Sequence, residues 1–209
     1  MSSQQSRADI DARATRLKEI FFAEESRLLV SEYQREFSWK KEQLEAFWED
    51  LVGPSARGTF GGTVLLLNSQ RNRKELVDGQ QRATTCTIFL AVLRDIAESL
   101  GAAKMATNIQ ENDIQCRDAD TFVLSEYRLK TSLSCRGFFE KHVQSFPRET
   151  FEPVTREHKK IAEAYSYFET QIKKQIDSDG TAEATLMALR SKVRPRSRVY
   201  RGLQRRRQV

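Results

Sequence analysis

The sequence predicts an α+β domain: a small mixed β-sheet with helices packed on it and a helical C-terminal part. Short apolar runs bounded by turn residues, such as 27–31, are typical of strands. Longer segments, such as 84–100, place their apolar residues at helical spacing. The 209 residues are 39% hydrophobic and 31% charged, which is the balance of a globular chain with a sizeable core.

The N-terminal quarter of the chain predicts a flexible terminus, a strand and two helices. Residues 1–14 are expected to be flexible at their polar start, and apolar spacings of three and four favour a helix over 10–22. A short apolar strand is expected at 27–31. A helix is expected over about 40–52, with the Ser38 hydroxyl as its N-cap.

A β-hairpin and a long helix follow. Residues 59–67 predict a buried strand, 68–73 a turn, and 75–77 a second strand that pairs with the first. The segment 84–100 begins with β-branched residues, which favour a strand. Its length and its single apolar face favour a helix, which is the prediction that we adopt.

The second half of the chain predicts mostly helices. Residues 101–120 are polar and predict a loop or a weak helix, and a short strand is expected within 122–129. Further helices are expected at about 136–143, 156–177 and 181–191, with Thr155 capping the second of them.

The formal net charge of +6 is unevenly distributed. Residues 191–209 hold eight basic residues and no acidic one, which leaves 27 basic and 29 acidic residues, a net of −2, in 1–190. The basic tail is expected to be disordered, and any nucleic-acid binding by it would be nonspecific and salt-sensitive.

Composition excludes several classes of protein. The longest apolar runs, Val64–Leu67 and Thr87–Leu93, are far shorter than the roughly 18–20 residues that span a bilayer. Cys86, Cys116 and Cys135 form no C-x-x-C pair, which argues against a disulfide framework and a zinc ribbon. We therefore expect a cytoplasmic protein that does not contact a membrane.

The sharpest candidate site is the Asp-Gly-Gln-Gln-Arg run that starts at Asp78. A strand, a glycine turn and a helix N-terminus bind anions, because first-turn N–H groups lack partners. Gly79 permits the sharp turn, and Arg82 offers a fork of donors to phosphate. Thr84 and Thr85 offer hydroxyls, and Asp78 can hold a Mg²⁺ that bridges phosphates. The alternative is a plain Asp-Gly turn with solvated side chains.

A second candidate is the polar and aromatic segment 33–39. Gln34 and Arg35 stand between aromatic residues, and such a group can stack a base or hold phosphate. The alternative is that Phe37 and Trp39 anchor the core while Gln34 and Arg35 lie on the surface.

Other polar residues give weaker signals. His142 and His158 stand among charged residues and predict solvated helix faces. Asp113, Asp118 and Asp120 can mimic a metal site, but a solvated loop is the favoured interpretation. The sequence contains no G-x-S-x-G or H-E-x-x-H motif.

Three motifs in order resemble a known family. They are Tyr-Gln-Arg-x-Phe-Ser-Trp-Lys at 33–40, Phe-Gly-Gly-Thr-Val at 60–64 and Asp-Gly-Gln-Gln-Arg at 78–82. Together they resemble the N-terminal domain of GmrSD-type, modification-dependent restriction endonucleases, which has a ParB/sulfiredoxin-like fold. The resemblance covers about 15–180.

The resemblance implies a domain that binds and hydrolyses a nucleoside triphosphate (GTP, ATP, CTP or UTP) with Mg²⁺. Arg35 and Arg82 would neutralise developing charge, Asp78 would hold Mg²⁺, and Gln80 or Gln81 would orient water. The catalytic set would be Asp78, Gln80, Gln81 and Arg82, and the nucleotide-binding set Gln34, Arg35, Gly79, Arg82, Thr84 and Thr85.

The resemblance also implies an organisation and partners. Residues 15–100 would form a ParB-like nucleotide-binding core and 101–190 its helical extension, with phage defence as the function. The family's H-x-x-P nuclease motif is absent from this sequence, so DNA and a separately encoded nuclease subunit are the expected partners. The tail 191–209 is expected to be an out-of-frame extension or a truncation product. The alternatives are a non-catalytic, nucleotide-gated DNA- or partner-binding module and an inactive fragment.

Overall fold

The computed structural model describes residues 27–53, 65–68, 73–117, 124–150 and 152–193. Within them the predicted mixed α+β architecture is confirmed. The flexible terminus and helix predicted within 1–22, the Phe-Gly-Gly-Thr-Val motif and nearly all of the basic tail lie outside the described residues.

The larger sheet has four strands in the order β2-β3-β1-β6. Strand β1 is parallel to β3 and to β6, whereas β2 and β3 are antiparallel, as the predicted hairpin requires. Strands β4 and β5 form a separate antiparallel pair. The strands are β1 (Arg27–Val30), β2 (Leu65–Asn68), β3 (Arg73–Asp78), β4 (Gln115–Arg117), β5 (Leu124–Tyr127) and β6 (Leu129–Lys130).

The helices are α1 (Lys41–Val52), α2 (Gln80–Ser99), α3 (Ala103–Ile109), α4 (Leu133–Phe139), α5 (Arg156–Asp179) and α6 (Ala182–Val193). Helices α3 and α4 each continue into a single π-helical turn, at Gln110–Ile114 and Glu140–Gln144. Helix α2 begins four residues earlier than the pattern predicts, directly after Gly79.

Helix ends confirm one predicted cap and correct another. The Thr155 hydroxyl accepts a hydrogen bond from the His158 N–H at 3.1 Å, as predicted for α5. Ser38 does not cap α1. The N-cap is Lys40, and its N–H donates to Gln43 Oε1 at 2.9 Å. The Ser38 backbone is instead held by Gln81, so its N–H belongs to the candidate site described below.

The centre of the core is an aromatic cluster that joins α1, α2 and α5. Phe89 lies 6.1 Å from Phe47 and 5.5 Å from Phe168, and Phe47 lies 5.4 Å from Phe168, between ring centroids. All three side chains are at most 2% exposed. This packing connects the C-terminal helices to the elements that position the site.

Within the predicted loop or weak helix at 101–120, the described residues 101–117 form a helix, a π-helical turn and a strand, so the helical alternative is the one that holds for the first part. Asp113 is 4% exposed, and its Oδ2 accepts a hydrogen bond from Arg190 Nε of α6 at 2.6 Å. The solvated loop expected around Asp113 is therefore wrong, because the carboxylate is buried against a cationic partner. Asp118 and Asp120 lie outside the described residues.

Arg94 is the largest fully buried side chain among the residues that the structure describes. Its guanidinium donates to Gln110 Oε1 at 2.6 Å, to the carbonyls of Val143 and Gln144 at 3.1 and 3.2 Å, and to Asp95 Oδ1 at 2.7 Å. Arg94 thus supplies donors to the carbonyl end of the second π-helical turn, where the Gln144 carbonyl also accepts from Gln110 Nε2 at 2.9 Å.

The histidines are packed in a ring stack, not presented on solvated faces as predicted. The Phe138 ring lies between His142, at 4.8 Å, and His158, at 4.0 Å, with interplanar angles of 18° and 7°. His142 is buried and His158 half-buried. Burial lowers the pKa of both imidazoles. Both therefore favour the neutral form in the folded protein.

The cysteines are reduced and buried. Cys116 lies in β4 and donates to the Glu126 carbonyl at 3.5 Å, so it is not in the predicted polar loop. Burial raises the pKa of Cys86 to about 12.

Among the described helices, none combines the length and apolar character needed to cross a bilayer.

Candidate functional site

Two segments that lie about 45 residues apart in the sequence meet around one cavity. The cavity has a volume of about 310 Å³, within the lower range of small-molecule sites. Its lining consists of Gln34, Arg35, Trp39 and the run Asp78–Arg82. The structure therefore brings together the two segments that the sequence singles out.

The junction of β3 and α2 forms the floor of the site. Gly79 has φ 96° and ψ 4°, in the left-handed region where a side chain is strained. Its N–H donates to Asp78 Oδ1 at 2.8 Å. Helix α2 starts at the next residue, so the positive end of a 20-residue helix faces the cavity.

Gln81 fastens the loop 35–38 to α2. Its Nε2 donates to the Glu36 carbonyl at 3.0 Å, and its Oε1 accepts from the Ser38 N–H at 2.9 Å. The side chain is 7% exposed. Both polar groups of the side-chain amide thus hydrogen-bond the backbone of the loop, so Gln81 holds the loop in place.

Gln80 uses only one end of its amide in the same way. Its Nε2 donates to the Arg35 carbonyl at 2.9 Å, and the side chain is 7% exposed. Its Oε1 is buried without a hydrogen-bond partner among the described residues. A buried acceptor of this kind is costly, and a donor supplied by a ligand or by water would satisfy it.

The loop 33–39 divides between core and cavity. Phe37 is 4% exposed and packs in the core, as the structural alternative predicts for it. Arg35 is exposed at the cavity, and Gln34 Nε2 donates to the Val77 carbonyl at 2.9 Å. Trp39 is half-buried and lines the cavity, with its ring 6.2 Å from that of Phe47. A fixed aromatic ring at a cavity wall is suited to stacking.

The two threonines lie away from this cavity. Thr85 is fully buried, and its hydroxyl donates to the Gln81 carbonyl at 2.8 Å. Thr84 is 5% exposed and lines a smaller cavity of about 20 Å³, which shares Arg35, Gln80 and Gln81 with the larger one. The structure does not bring either hydroxyl to the larger cavity with the other predicted residues.

The cavity wall has more positive than negative side chains. Arg35 and Arg82 line it against one carboxylate, that of Asp78, which is exposed. This balance favours a polyanion. In the part of the chain that the structure describes, no three His, Cys, Asp or Glu side chains cluster as a metal site. A divalent cation would therefore rest on Asp78 and on oxygens of the ligand.

One residue that contacts the site is absent from the sequence-based candidates. Glu157, at the start of α5, accepts a hydrogen bond from the Phe37 N–H at 2.8 Å and is 7% exposed. It lies 120 residues from Phe37, and no local motif surrounds it. A buried carboxylate of this kind is set by tertiary packing, so sequence patterns could not identify it.

Comparison with known families supports the resemblance that the motifs suggest. No curated protein matches the chain. Residues 17–198 match the N-terminal domain of GmrSD restriction endonucleases. This range includes every residue that lines the cavity and also the first residues of the basic tail, 191–198. Since the match covers most of the 209 residues, the chain belongs to the GmrSD restriction endonuclease N-terminal domain family.

Proposed function

We propose that the cavity binds a nucleoside triphosphate and that the domain hydrolyses it as part of a modification-dependent restriction system. The observation that supports this proposal is the convergence of Arg35, Arg82 and the N-terminus of α2 on one cavity beside Trp39. Phosphates are the ligands that guanidinium forks and helix N-termini bind best.

In this proposal the triphosphate lies against the two guanidinium groups and the start of α2. The base stacks on Trp39, because the edge contact with Phe47 fixes its ring. Stacking tolerates every base, so the cavity can accept GTP, ATP, CTP or UTP. Gly79, which lacks a side chain, lets the phosphates approach the backbone.

Asp78 is the residue that would hold Mg²⁺. Its carboxylate is exposed at the cavity, and Mg²⁺ commonly binds one or two carboxylates together with substrate phosphates and waters. Bound there, the ion would neutralise charge on the phosphate oxygens. Arg35 and Arg82 would stabilise the charge that grows as the bond to the leaving phosphate lengthens.

The two glutamines differ in what they can contribute to hydrolysis. Gln81 is occupied at both ends by the loop backbone, whereas Gln80 keeps an acceptor oxygen. We therefore assign to Gln80 the orientation of the attacking water, and to Gln81 the placement of the loop that holds Arg35. The reaction that both residues would support is phosphoryl transfer from the nucleotide to water.

The partners follow from the family and from the motifs. We propose that DNA is the eventual target and that this domain acts together with a nuclease, either a further domain or a separately encoded subunit, because the family is one of restriction endonucleases. On this proposal the domain works in the cytoplasm in defence against phage DNA.

Nucleotide binding is tested with the purified chain and each of the four Mg²⁺-nucleotides by isothermal titration calorimetry. Arg82→Ala and Arg35→Ala should each weaken binding about tenfold or more, the loss of a charge-assisted contact. Lys104→Ala, which removes an exposed cation from α3, is the matched control and should bind as the wild type does.

Absence of binding by the wild-type chain, or equal binding by all four proteins, would overturn this function. Binding without turnover, together with salt-dependent affinity for DNA, would favour a nucleotide-gated DNA-binding module instead. A chain that neither binds nor folds would indicate an inactive fragment.

A further inference from the structure

The loop 35–38 is held from two sides. On one side, α2 binds three of its backbone groups through Gln80 and Gln81. On the other side, α5 binds a fourth group, because Glu157 Oε1 accepts from the Phe37 N–H at 2.8 Å. The helical C-terminal part therefore reaches the loop that carries Arg35.

The environment of Glu157 is built for this contact. The side chain is 7% exposed, so its carboxylate is largely removed from solvent where it accepts from the Phe37 N–H. Glu32 makes a similar tie nearby, since both of its carboxylate oxygens accept from the Leu133 N–H, at 3.1 and 3.0 Å. Two carboxylates thus fasten the segment before α1 to α4 and α5.

We propose that Glu157 is a positioning residue for the candidate nucleotide site: by holding the Phe37 N–H, it fixes the loop that presents Arg35 to the phosphates. The importance of this contact for nucleotide binding rests on the proposed function, whereas the contact itself does not. Through this contact, helix α5 of the C-terminal part acts directly on the site.

The physical reason is the cost of a buried N–H without a partner. Phe37 is 4% exposed, so its N–H has no access to bulk water once the carboxylate is removed. The loop must then shift to satisfy that group. A shift of the backbone at Phe37 moves Arg35, two residues away, relative to Arg82 across the cavity.

Three substitutions at Glu157 separate the effect of side-chain length from the effect of charge. Glu157→Gln keeps an acceptor oxygen at the same distance and loses the charge. Glu157→Asp keeps the charge but is one methylene shorter, and Glu157→Ala loses both. If the hydrogen bond is what matters, the Gln variant should resemble the wild type and the Asp variant should resemble the Ala variant.

Nucleotide affinity is the first readout, measured by calorimetry with each of the four Mg²⁺-nucleotides. The Ala and Asp variants should bind about tenfold more weakly, as expected for one lost hydrogen bond, and the Gln variant within about twofold of the wild type. The matched control, Glu183→Ala, removes an exposed carboxylate from α6 and should leave affinity unchanged. Wild-type affinity in the Asp variant would overturn the proposal, as would equal losses in the Gln and Asp variants.

Amide hydrogen exchange of the nucleotide-free proteins is the second readout. In the Asp variant, exchange at Phe37 should rise at least tenfold while the amides of α1 keep their protection. Unchanged exchange at Phe37, or an equal rise throughout the chain, would overturn the positioning role. Because this readout needs no nucleotide, it still decides the inference if the wild-type chain binds none and the proposed function fails. It also uses a variant that keeps the charge should the Ala variant not fold.

Discussion

At the scale of single residues, two adjacent glutamines with the same side chain have different tasks. Gln80 and Gln81 are equally buried, at 7% exposure each, and both donate to the loop that carries Arg35. The difference lies in their oxygens, because that of Gln81 accepts from Ser38 and that of Gln80 is left over. The two glutamines therefore differ in whether the amide oxygen already has a hydrogen-bond partner. We assign a structural role to Gln81 and propose a catalytic role for Gln80.

The first prediction concerns Gln80→Ala. Nucleotide affinity should fall about tenfold, because the Arg35 carbonyl loses its donor. The rate of hydrolysis at saturating nucleotide should fall about 100-fold, the scale of losing a group that positions the reacting water. Phosphate release under saturating nucleotide and calorimetric binding separate the two effects. A variant that hydrolyses at the wild-type rate would remove Gln80 from the mechanism.

The second prediction concerns Gln81→Ala. The substitution leaves the Glu36 carbonyl and the Ser38 N–H without their partner, so the free energy of unfolding should fall by about 1–3 kcal/mol. Urea denaturation measures this loss. Gln171→Ala, on the half-buried face of α5, is the control and should change stability by less than about 0.5 kcal/mol.

The third prediction concerns acid. Burial lowers the pKa of His142 and His158 below 6.5, the ordinary value of the imidazole, so the unfolded chain binds more protons than the folded one. Stability should therefore be full above pH 6.5 and fall as the pH drops below it. Thermal melts at pH 7.5, 6.5 and 5.5 measure the decline.

Replacing His142 by Phe isolates this effect, because Phe keeps the stack on Phe138 and does not titrate. The variant should lose less stability than the wild type between pH 7.5 and 5.5. Glu157, whose pKa is raised mainly by burial, titrates in the opposite sense, but it is common to both proteins and cancels in the comparison. Equal acid sensitivity of the two proteins would contradict the assigned cause.

At the scale of elements, local sequence patterns predicted the features that local interactions determine. The β2–β3 hairpin, the long helix after Gly79 and the Thr155 cap follow from apolar spacing, turn residues and a capping hydroxyl. The burial of Asp113 could not be predicted in this way, because its partner Arg190 is 77 residues distant. The same holds for Arg94 and for the stacking of His158 on Phe138, because these partners belong to other elements.

The fourth prediction concerns Arg94, which connects α2 to both π-helical turns. Arg94→Met should lower the free energy of unfolding by about 3 kcal/mol or more, because four buried or half-buried hydrogen bonds of the guanidinium are lost, one of them to the Asp95 carboxylate. Arg94→Lys should recover only part of this, since one ammonium cannot reproduce the fork. Denaturation curves of the two variants, with exposed Lys173→Ala as control, decide whether the fork or the charge is needed.

At the scale of the whole molecule, the candidate site and the helical part share one core. The rings of Phe47, Phe89 and Phe168 connect α1 and α2 to α5, and Glu157 connects α5 to the site loop. The motifs at 33–39 and 78–82 predicted the residues that line the cavity, whereas the burial of each residue and the contribution of α5 required the fold. The specific ParB-like relationship stays a prediction.

The fifth prediction is that the described parts unfold together. Phe168→Ala, in α5, should cost about 3–5 kcal/mol and shift the whole transition, because it opens a cavity in the shared core. Circular dichroism of the helices and fluorescence of Trp39 and Trp48 should move by the same amount. A transition in which the tryptophan signal keeps its wild-type midpoint would show that the site is independent of α5.

The most direct test of the proposed function is hydrolysis itself. The purified chain is incubated with Mg²⁺ and GTP, ATP, CTP or UTP, and released phosphate is measured beside Arg82→Ala and Lys104→Ala. We predict release from at least one nucleotide by the wild type and by Lys104→Ala, and none above background by Arg82→Ala. No release from any nucleotide, or equal release by Arg82→Ala, would contradict the assignment of the cavity as a hydrolytic nucleotide site.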